Sequence, residues 1–289
     1  MMTATEKARV LIDALPYLQR FRGKTFLIKM GGSAMDNPGL VHEVMRDIVF
    51  LENAGISPVI VHGGGKAISA AMSEAGLEAK FVGGFRITTP EAIKIVEETL
   101  HQSINAGLVE TINKFGGKAA SIHGLSVFTA KQLFGKDNSG APVDIGRVGQ
   151  ATSCHIEDIL YAISAGLVPV ISPLGKHEET GEPHNINADL AAAALACALK
   201  PAKLVYLSDV PGLLRDPSDH STLIESVSSA EAQKLIDDGI ISGGMIPKIT
   251  SALEALESGV EKVHFIDGRT PHTLLLEIFT QSGIGTEIR

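Results

Sequence analysis

Three glycine turns, each beside a lysine, are the stretches of this chain best suited to chemistry. Lys29-Met30-Gly31-Gly32-Ser33 and His62-Gly63-Gly64-Gly65-Lys66 each follow a β-prone run, and Ser242-Gly243-Gly244-Met245-Ile246-Pro247-Lys248 leads into a helical pattern. Glycines directly after a strand let the backbone turn sharply and aim several N–H groups at an anion. A helix starting behind glycines, as expected at Lys66, adds unpaired N–H groups and a favourable dipole. Pro247 suits a first helical turn and would set Lys248 beside that helix's N-terminal end. Such turns could cradle phosphates or carboxylates. Taken singly, the first is equally an ordinary turn with a lysine reaching for solvent. Three consecutive glycines at 63–65 each cost backbone entropy, which favours a functional reading there.

Asn185-Ile186-Asn187-Ala188-Asp189 crowds three polar side chains before the run AAAALACAL. A helix N-cap accounts for one of them and leaves the others unexplained. Asp209, in Ser208-Asp209-Val210-Pro211-Gly212, reads alone as a turn residue. The standard phosphate signatures are missing. Gly23-Lys24-Thr25 ends like a P-loop, but Leu18 stands where the first glycine belongs, and the piece precedes its strand. The dinucleotide fingerprint fails at Gly63, where Ile68 takes the last glycine's place. Ten histidines form no metal-ligand spacing, so no protein-held transition metal is expected. No G-x-S-x-G elbow supports hydrolase chemistry.

These residues hang on alternating strands and helices. Thr25–Met30, Ser57–His62, Lys118–Ile122, Val168–Ser172, Lys203–Ser208 and Lys262–Ile266 read as strands, several of them near-continuous apolar runs. Helices are expected over Gly39–Ala54, Lys66–Ala75, Pro90–Phe115, Ile156–Ala165, Ala188–Leu199, Ser229–Asp237 and Pro247–Ser258. The alternation argues for an α/β fold with a mostly parallel sheet. Residues 121–151 break it, and their short β-prone pieces read as hairpins around His123-Gly124 and Gly146-Arg147. With no Pro/Ser linker and no repeat, two lobes sharing one sheet are expected: 23–174 and 175–289, behind an N-terminal helix at 1–22. That helix carries Ala8, Leu11, Leu15 and Leu18 on one face and should be interrupted and kinked at Pro16. A helix of this length is marginal alone, so its apolar face needs a partner, its own subunit or another.

Composition narrows the classes further. The chain has 289 residues, 44% of them hydrophobic, enough for a sizeable core and too apolar for disorder. A net charge of −8 gives nucleic-acid binding little support. Cys154 and Cys197 are too few for a disulfide framework. Charges throughout the first 22 residues argue against a signal peptide, and the apolar runs are too short to span a membrane. A cytoplasmic protein is expected.

The pieces IKMGGS, VIVHGGGKAI, GGFRITT, NINADLAAAALA, LSDVPGLL and ISGGMIPK, in that order, resemble the amino-acid kinase superfamily and most closely its acetylglutamate kinases. The resemblance runs from about Lys24 to the C-terminus, and GGFRITT and NINAD are its subfamily-specific parts. It implies a three-layer αβα sandwich around a mostly parallel sheet. It also implies transfer of the ATP γ-phosphoryl group to the γ-carboxylate of N-acetyl-L-glutamate, a step of arginine synthesis. By this resemblance Lys29 and Lys248 stabilise the moving phosphoryl group from two sides, Asp189 orients both lysines, and Gly32 and Gly64 donate N–H groups. Gly64, Gly65, Arg86 and Asn185 would hold N-acetylglutamate. Asp209, Val210, Pro211, Gly212, Leu213 and Leu214, with Ile240, Ile241 and Ser242, would border the nucleotide. Mg²⁺ would bridge ATP phosphates with few protein ligands of its own. An acceptor carboxylate with a pKa of about 4.3 is already ionised and needs no general base, which suits a site of lysines and N–H groups.

The stretch VHFIDGRTPHTLLLEIFTQSGIGTEI further resembles the arginine-binding signature of the arginine-sensitive type. That implies an L-arginine site lined by His264, Glu277 and Gly283, with Tyr17 reaching it from the N-terminal helix. It also implies dimers interlaced by those helices into a hexamer under feedback inhibition. Relatives with an appended regulatory or RNA-binding module are disfavoured, and neither a nucleic acid nor a membrane is expected as partner. A kinase for another acid or for carbamate is the nearest alternative, followed by a dinucleotide binder and a catalytically silent paralogue. Intact Lys29, Asp189 and Lys248 count against the last.

Overall fold

The computed structural model describes residues 3–137, 139–281 and 283–289. In chain order its strands are β1 (Thr25–Met30), β2 (Ser57–His62), β3 (Phe81–Val82), β4 (Phe85–Arg86), β5 (Ala119–Ile122), β6 (Phe128–Lys136) and β7 (Pro142–Cys154). They continue with β8 (Val168–Ile171), β9 (Leu174–His177), β10 (Pro183–Ile186), β11 (Lys203–Ser208), β12 (Ser226–Val227), β13 (Val263–Asp267) and β14 (Thr286–Ile288). Eight of them form one sheet in the order β12-β14-β13-β11-β1-β2-β8-β5. All neighbours from β13 to β5 are parallel, and the antiparallel step is β13 to β14. At the centre β1 lies beside β11, with Lys29 opposite Tyr206.

Alternation along β1 explains the layers. Leu27 belongs to one apolar cluster and Phe26, Ile28 and Met30 to another, because successive side chains leave opposite faces. The first cluster takes in helices Glu157–Ser164, Ala188–Leu199, Ser229–Asp237 and Met245–Glu257. The second takes in Pro38–Asn53, Ala106–Lys114 and Thr273–Ile278. The fold is therefore the expected helix–sheet–helix sandwich. Strands covered on both faces must be apolar throughout, which is why these runs were legible.

Three local expectations need correcting. The helix expected over Pro90–Phe115 contains a π-helical segment, Glu98–Asn105, between α-helical Ala92–Glu97 and Ala106–Lys114. Residues 121–151 do not turn at His123-Gly124 or Gly146-Arg147. His123 caps a one-turn helix, Gly124–Val127, and the β6–β7 hairpin closes through the Asp137 N–H to the Ala141 carbonyl. Gly146 sits inside β7 at φ 74°, where a side chain would strike the Thr88 carbonyl. A left-handed glycine within a strand makes a local irregularity and no reversal. Strands β6, β7, β9 and β10 instead close into a small barrel beside the main sheet. Finally, helix Ala4–Phe21 runs unbroken through Pro16 after a Thr3–Glu6 capping box. Its missing N–H removes one ladder bond, which the flanking turns tolerate.

That helix packs on the body near its end. Phe21 packs edge-on against Phe26, with ring centroids 5.2 Å apart, and Tyr17 meets Phe279 at 6.3 Å. Upstream, Val10, Leu11, Ile12 and Leu15 stand exposed, Leu11 by 66%. No helix among the described residues is long and apolar enough to cross a membrane.

Candidate active site and a second pocket

Lys29 reaches the C-terminal edge of β1 yet is only 7% exposed. Its ammonium lies 2.7 Å from Asp189 Oδ1, while Lys248 Nζ approaches Asp189 Oδ2 at 3.9 Å. The expected trio is thus brought together, with the carboxylate between two lysines from different elements. A side chain on Gly31 would collide with the Lys29 ammonium. Gly32 has φ 60°, and a side chain there would strike the Asp209 carboxylate. Gly32 is therefore required by its backbone, whereas at Gly31 a side chain would have to displace the Lys29 ammonium from its place.

The crowded polar stretch divides its tasks. Asn187 is the N-cap, its Oδ1 accepting from the backbone N–H groups of Asp189 at 2.8 Å and Leu190 at 3.4 Å. Asp189 is left for the lysines, and the Tyr206 hydroxyl donates to its backbone carbonyl at 3.5 Å. Asn185 Nδ2 donates to Thr88 Oγ1 at 3.5 Å, tying the stretch to the segment two residues beyond Arg86. Lys248 belongs to a helix that starts at Met245, two residues earlier than expected. Pro247 still falls in the first turn, where its missing N–H has no partner to lose.

Gly63 N–H donates to the Met30 carbonyl at 2.7 Å, which fastens the second glycine turn to the first. Helix Gly65–Glu74 follows, its N-terminus uncapped by any side chain. Arg86 is 6% exposed, and Nη2 donates to the Gly65 carbonyl at 2.7 Å and to Ser69 Oγ at 2.9 Å. Its guanidinium also lies over the Phe81 ring, 4.7 Å from the centroid. Burial lowers its pKa from the ordinary value, though an arginine stays a cation. Gly64, Gly65, Arg86 and Asn185 all line one cavity of about 200 Å³, closed on its apolar side by Leu100 and Pro173. The acid-binding residues expected from the sequence therefore share one space.

The nucleotide-binding expectation is met unevenly by geometry. Leu213 and Ile241 are buried in the same apolar cluster, so they pin two loops together and can offer a ligand only backbone. Leu214 pairs with Leu223 in a β-bridge, and Val210 N–H donates to Ser208 Oγ at 3.2 Å. Gly212 packs so closely on Thr286 that no side chain would fit. Asp209 approaches Gly32, whereas Ser242 is exposed and Ile240 half-buried. Pro211 stays in the same turn. Among the described residues no group of three or more His, Cys, Asp or Glu is arranged to hold a metal ion.

A second cavity, about 330 Å³, opens between the N-terminal helix and the C-terminal strands. Tyr17, His264, Glu277 and Gly283 all line it, with Lys203 and Lys262. His264 Nδ1 lies 2.6 Å from Glu277 Oε1, and Nε2 lies 2.7 Å from Lys203 Nζ. The ammonium can only donate, so Nε2 accepts and Nδ1–H donates to the carboxylate. Glu277 Oε2 accepts from the N–H groups of Ile284 at 2.8 Å and Gly285 at 3.0 Å. Burial pushes Glu277 upward, but these donors outweigh it and leave its pKa below the ordinary value. Burial pulls Lys203 down to about 8. Neither lysine was singled out from the sequence. The available signal was a lysine opening an otherwise apolar strand, KLVYLS.

The model of the amino acid kinase family matches residues 24–267. Acetylglutamate kinase of Akkermansia muciniphila is 62% identical over 283 residues, 98% of this chain and 95% of that protein. N-acetylglutamate synthase from Neisseria gonorrhoeae, complexed with coenzyme A and N-acetyl-glutamate, superimposes with a TM-score of 0.84 at 27% identity. That match covers 97% of this chain and 63% of the synthase, so the chain spans under two thirds of its length. The same synthase complexed with coenzyme A and L-arginine gives a TM-score of 0.78 at 26% identity, over 97% of this chain and 65% of that one. Carbamate kinase from Giardia lamblia shares the fold, with a TM-score of 0.66 at 16% identity over 92% of this chain and 98% of that one. Matched over most of its length by the family's model, the chain belongs to the amino acid kinase family, in the branch that holds the acetylglutamate kinases.

Proposed function

We propose that the chain transfers the γ-phosphoryl group of ATP, supplied as its Mg²⁺ complex, to the γ-carboxylate of N-acetyl-L-glutamate. The observation that carries this reading is Asp189 held between Lys29 and Lys248, at 2.7 and 3.9 Å. A carboxylate oxygen attacks the γ-phosphorus, the bond to the bridging β–γ oxygen breaks, and ADP leaves with that electron pair. The acceptor is already ionised, so catalysis consists of positioning and positive charge. Lys29 and Lys248 flank the transferring group, and the Gly32 and Gly64 N–H groups donate to its oxygens. Arg86 of the first lobe, residues 23–174, and Asn185 of the stretch just beyond it hold the acetylated amino acid. The loops Asp209–Leu214 and Ile240–Ser242 of the second lobe, residues 175–289, border the nucleotide.

We further propose that L-arginine binds the second pocket and inhibits. Glu277 and Glu287 suit its cationic groups and Lys203 and Lys262 its carboxylate, within one cavity. Tyr17 links that pocket to helix Ala4–Phe21, whose exposed Val10, Leu11, Ile12 and Leu15 favour packing on a second copy and a hexamer of interlaced dimers.

ADP release with hydroxylamine trapping tests the reaction. Turnover is expected with N-acetylglutamate and far less with free glutamate, because a site built for the acetamido group is left with unpaired polar groups. Equal turnover of glutamate or carbamate would refute it. Arginine should inhibit the full chain, and deleting residues 1–22 should leave active dimers with weaker inhibition. A full-length dimer by sedimentation, unaffected by millimolar arginine, would remove the regulatory reading alone.

A further inference from the structure

His62 ends β2 one residue before the glycine turn, yet its side chain is fully buried. Nδ1 lies 3.0 Å from the carbonyl oxygen of Gly63. A carbonyl only accepts, so the ring proton sits on Nδ1 and Nε2 is an acceptor. Asn105 Nδ2 meets Nε2 at 3.3 Å and also donates to the Val170 carbonyl at 2.8 Å. Asn105 Oδ1 accepts from Ser121 Oγ at 2.7 Å. Each group in this chain therefore has one workable proton arrangement. Burial pushes His62 down to about 4, so the ring carries a single N–H at neutral pH.

The Gly63 carbonyl and the Gly64 N–H are the two ends of one peptide unit. No cis bond occurs among the described residues, and in a trans peptide these groups point in opposite directions. A donor fastened to the carbonyl thus fixes where the N–H points. Asn105, the other end of the brace, closes the π-helical segment Glu98–Asn105. Such a segment carries one residue more than an α-helix, so removing it would swing Asn105 by about 100° around the axis. The same segment supplies Ile104 and Leu100, which abut Gly64 so tightly that a side chain there would collide.

We propose that His62 is a positioning residue for phosphoryl transfer: braced by Asn105, its Nδ1–H orients the 63–64 peptide so that the Gly64 N–H meets the transferring phosphoryl group. This rests on the reading of Gly64 given above.

Asparagine can place its amide nitrogen near the position of Nδ1, whereas glutamine reaches toward Nε2 and leucine donates nothing. His62→Gln and His62→Leu are expected to lower kcat by about 10- to 100-fold, with KM for N-acetylglutamate and ATP within about threefold. His62→Asn should recover most of that loss. Asn105→Asp turns the donor facing Nε2 into an acceptor, draws the ring proton to Nε2 and should reproduce the kcat loss. Melting temperature and circular dichroism report folding, and Asn105→Asp carries the test if the His62 variants do not fold. A merely structural role would treat Asn and Gln alike and make kcat follow the melting temperature. Equal kcat in the Asn and Gln variants, or a loss confined to KM, overturns the proposal. A wild-type chain that does not phosphorylate N-acetylglutamate overturns the reading beneath it.

Discussion

Replacing Asp189 with asparagine keeps the shape of the central group and removes its charge. The bare attraction between unit charges at an effective dielectric constant of about 20 is about 6 kcal/mol at the Lys29 separation and about 4 at that of Lys248. Desolvation cancels much of both, so the contrast between them is the useful quantity. Lys29, nearly buried, depends on Asp189 more than the half-exposed Lys248 does. Removing either lysine takes away a preorganised positive group and should lower kcat by about 10²-fold or more. Asp189→Asn leaves both lysines present but less well aimed and should cost about 10- to 100-fold. ADP release at saturating substrates, run as two double-mutant cycles, separates the effects. Coupling of Asp189 with Lys29 should exceed that with Lys248 and reach about 1–3 kcal/mol. Near-normal kcat in both lysine variants would refute the mechanism. Strict additivity of Asp189→Asn with Lys29→Ala would refute the orienting role.

Arg86→Lys should raise KM for N-acetylglutamate about tenfold or more and change kcat less, because one ammonium cannot bridge the Gly65 carbonyl and Ser69 while also meeting a carboxylate. Gly32→Ala should lower both kcat and melting temperature, since its φ of 60° and the Asp209 carboxylate leave no strain-free place for a methyl group. Asp47, buried against His272 at 2.7 Å, is pushed by burial from 3.8 to about 6. The folded chain therefore binds this proton more readily than the unfolded one, a contribution fully present below pH 3.8 and lost as pH rises through about 6. Asp47→Asn should accordingly be more stable than wild type at pH 8, by at most about 3 kcal/mol, with the gain fading toward pH 4. Urea unfolding at several pH values reads this, and a pH-independent difference would contradict it.

What the sequence made legible follows from physics acting on neighbours in the chain. Strands covered on both faces must be apolar throughout, so TFLIKM and KLVYLS announced themselves. The helix at 188–199 was equally plain, because its cap and its alanines are contiguous. The π-helical turn was invisible, since one extra residue in a helix leaves no mark on composition or on apolar spacing. The barrel was hidden because the two pairings that close it, β6 with β9 and β7 with β10, join residues far apart in the chain, and because Gly146 imitates a turn residue. In the active site, glycines and lysines were readable by type. The part played by His62 depends on Asn105, 43 residues away, and no local pattern connects the two. Lys203 was read as a strand residue and is one; that it also faces a pocket is a matter of what covers the strand.

The side-by-side placement of β1 and β11 has a consequence for how the molecule comes apart. The strands on one side of that seam all precede residue 172, and those on the other all follow residue 202, with no linker between the two sets. Parting them would break a ladder of backbone hydrogen bonds and uncover Phe26, Leu27 and Ile28 on one edge and Leu204, Val205 and Tyr206 on the other. Neither half can melt while the other stays intact, because each is the cover for the other's open edge. Thermal denaturation of the two halves should therefore be one cooperative event, with probes placed on either side of the seam reporting the same midpoint. By the same logic, the two halves synthesised as separate polypeptides would be adhesive alone and would reassemble along the seam when mixed.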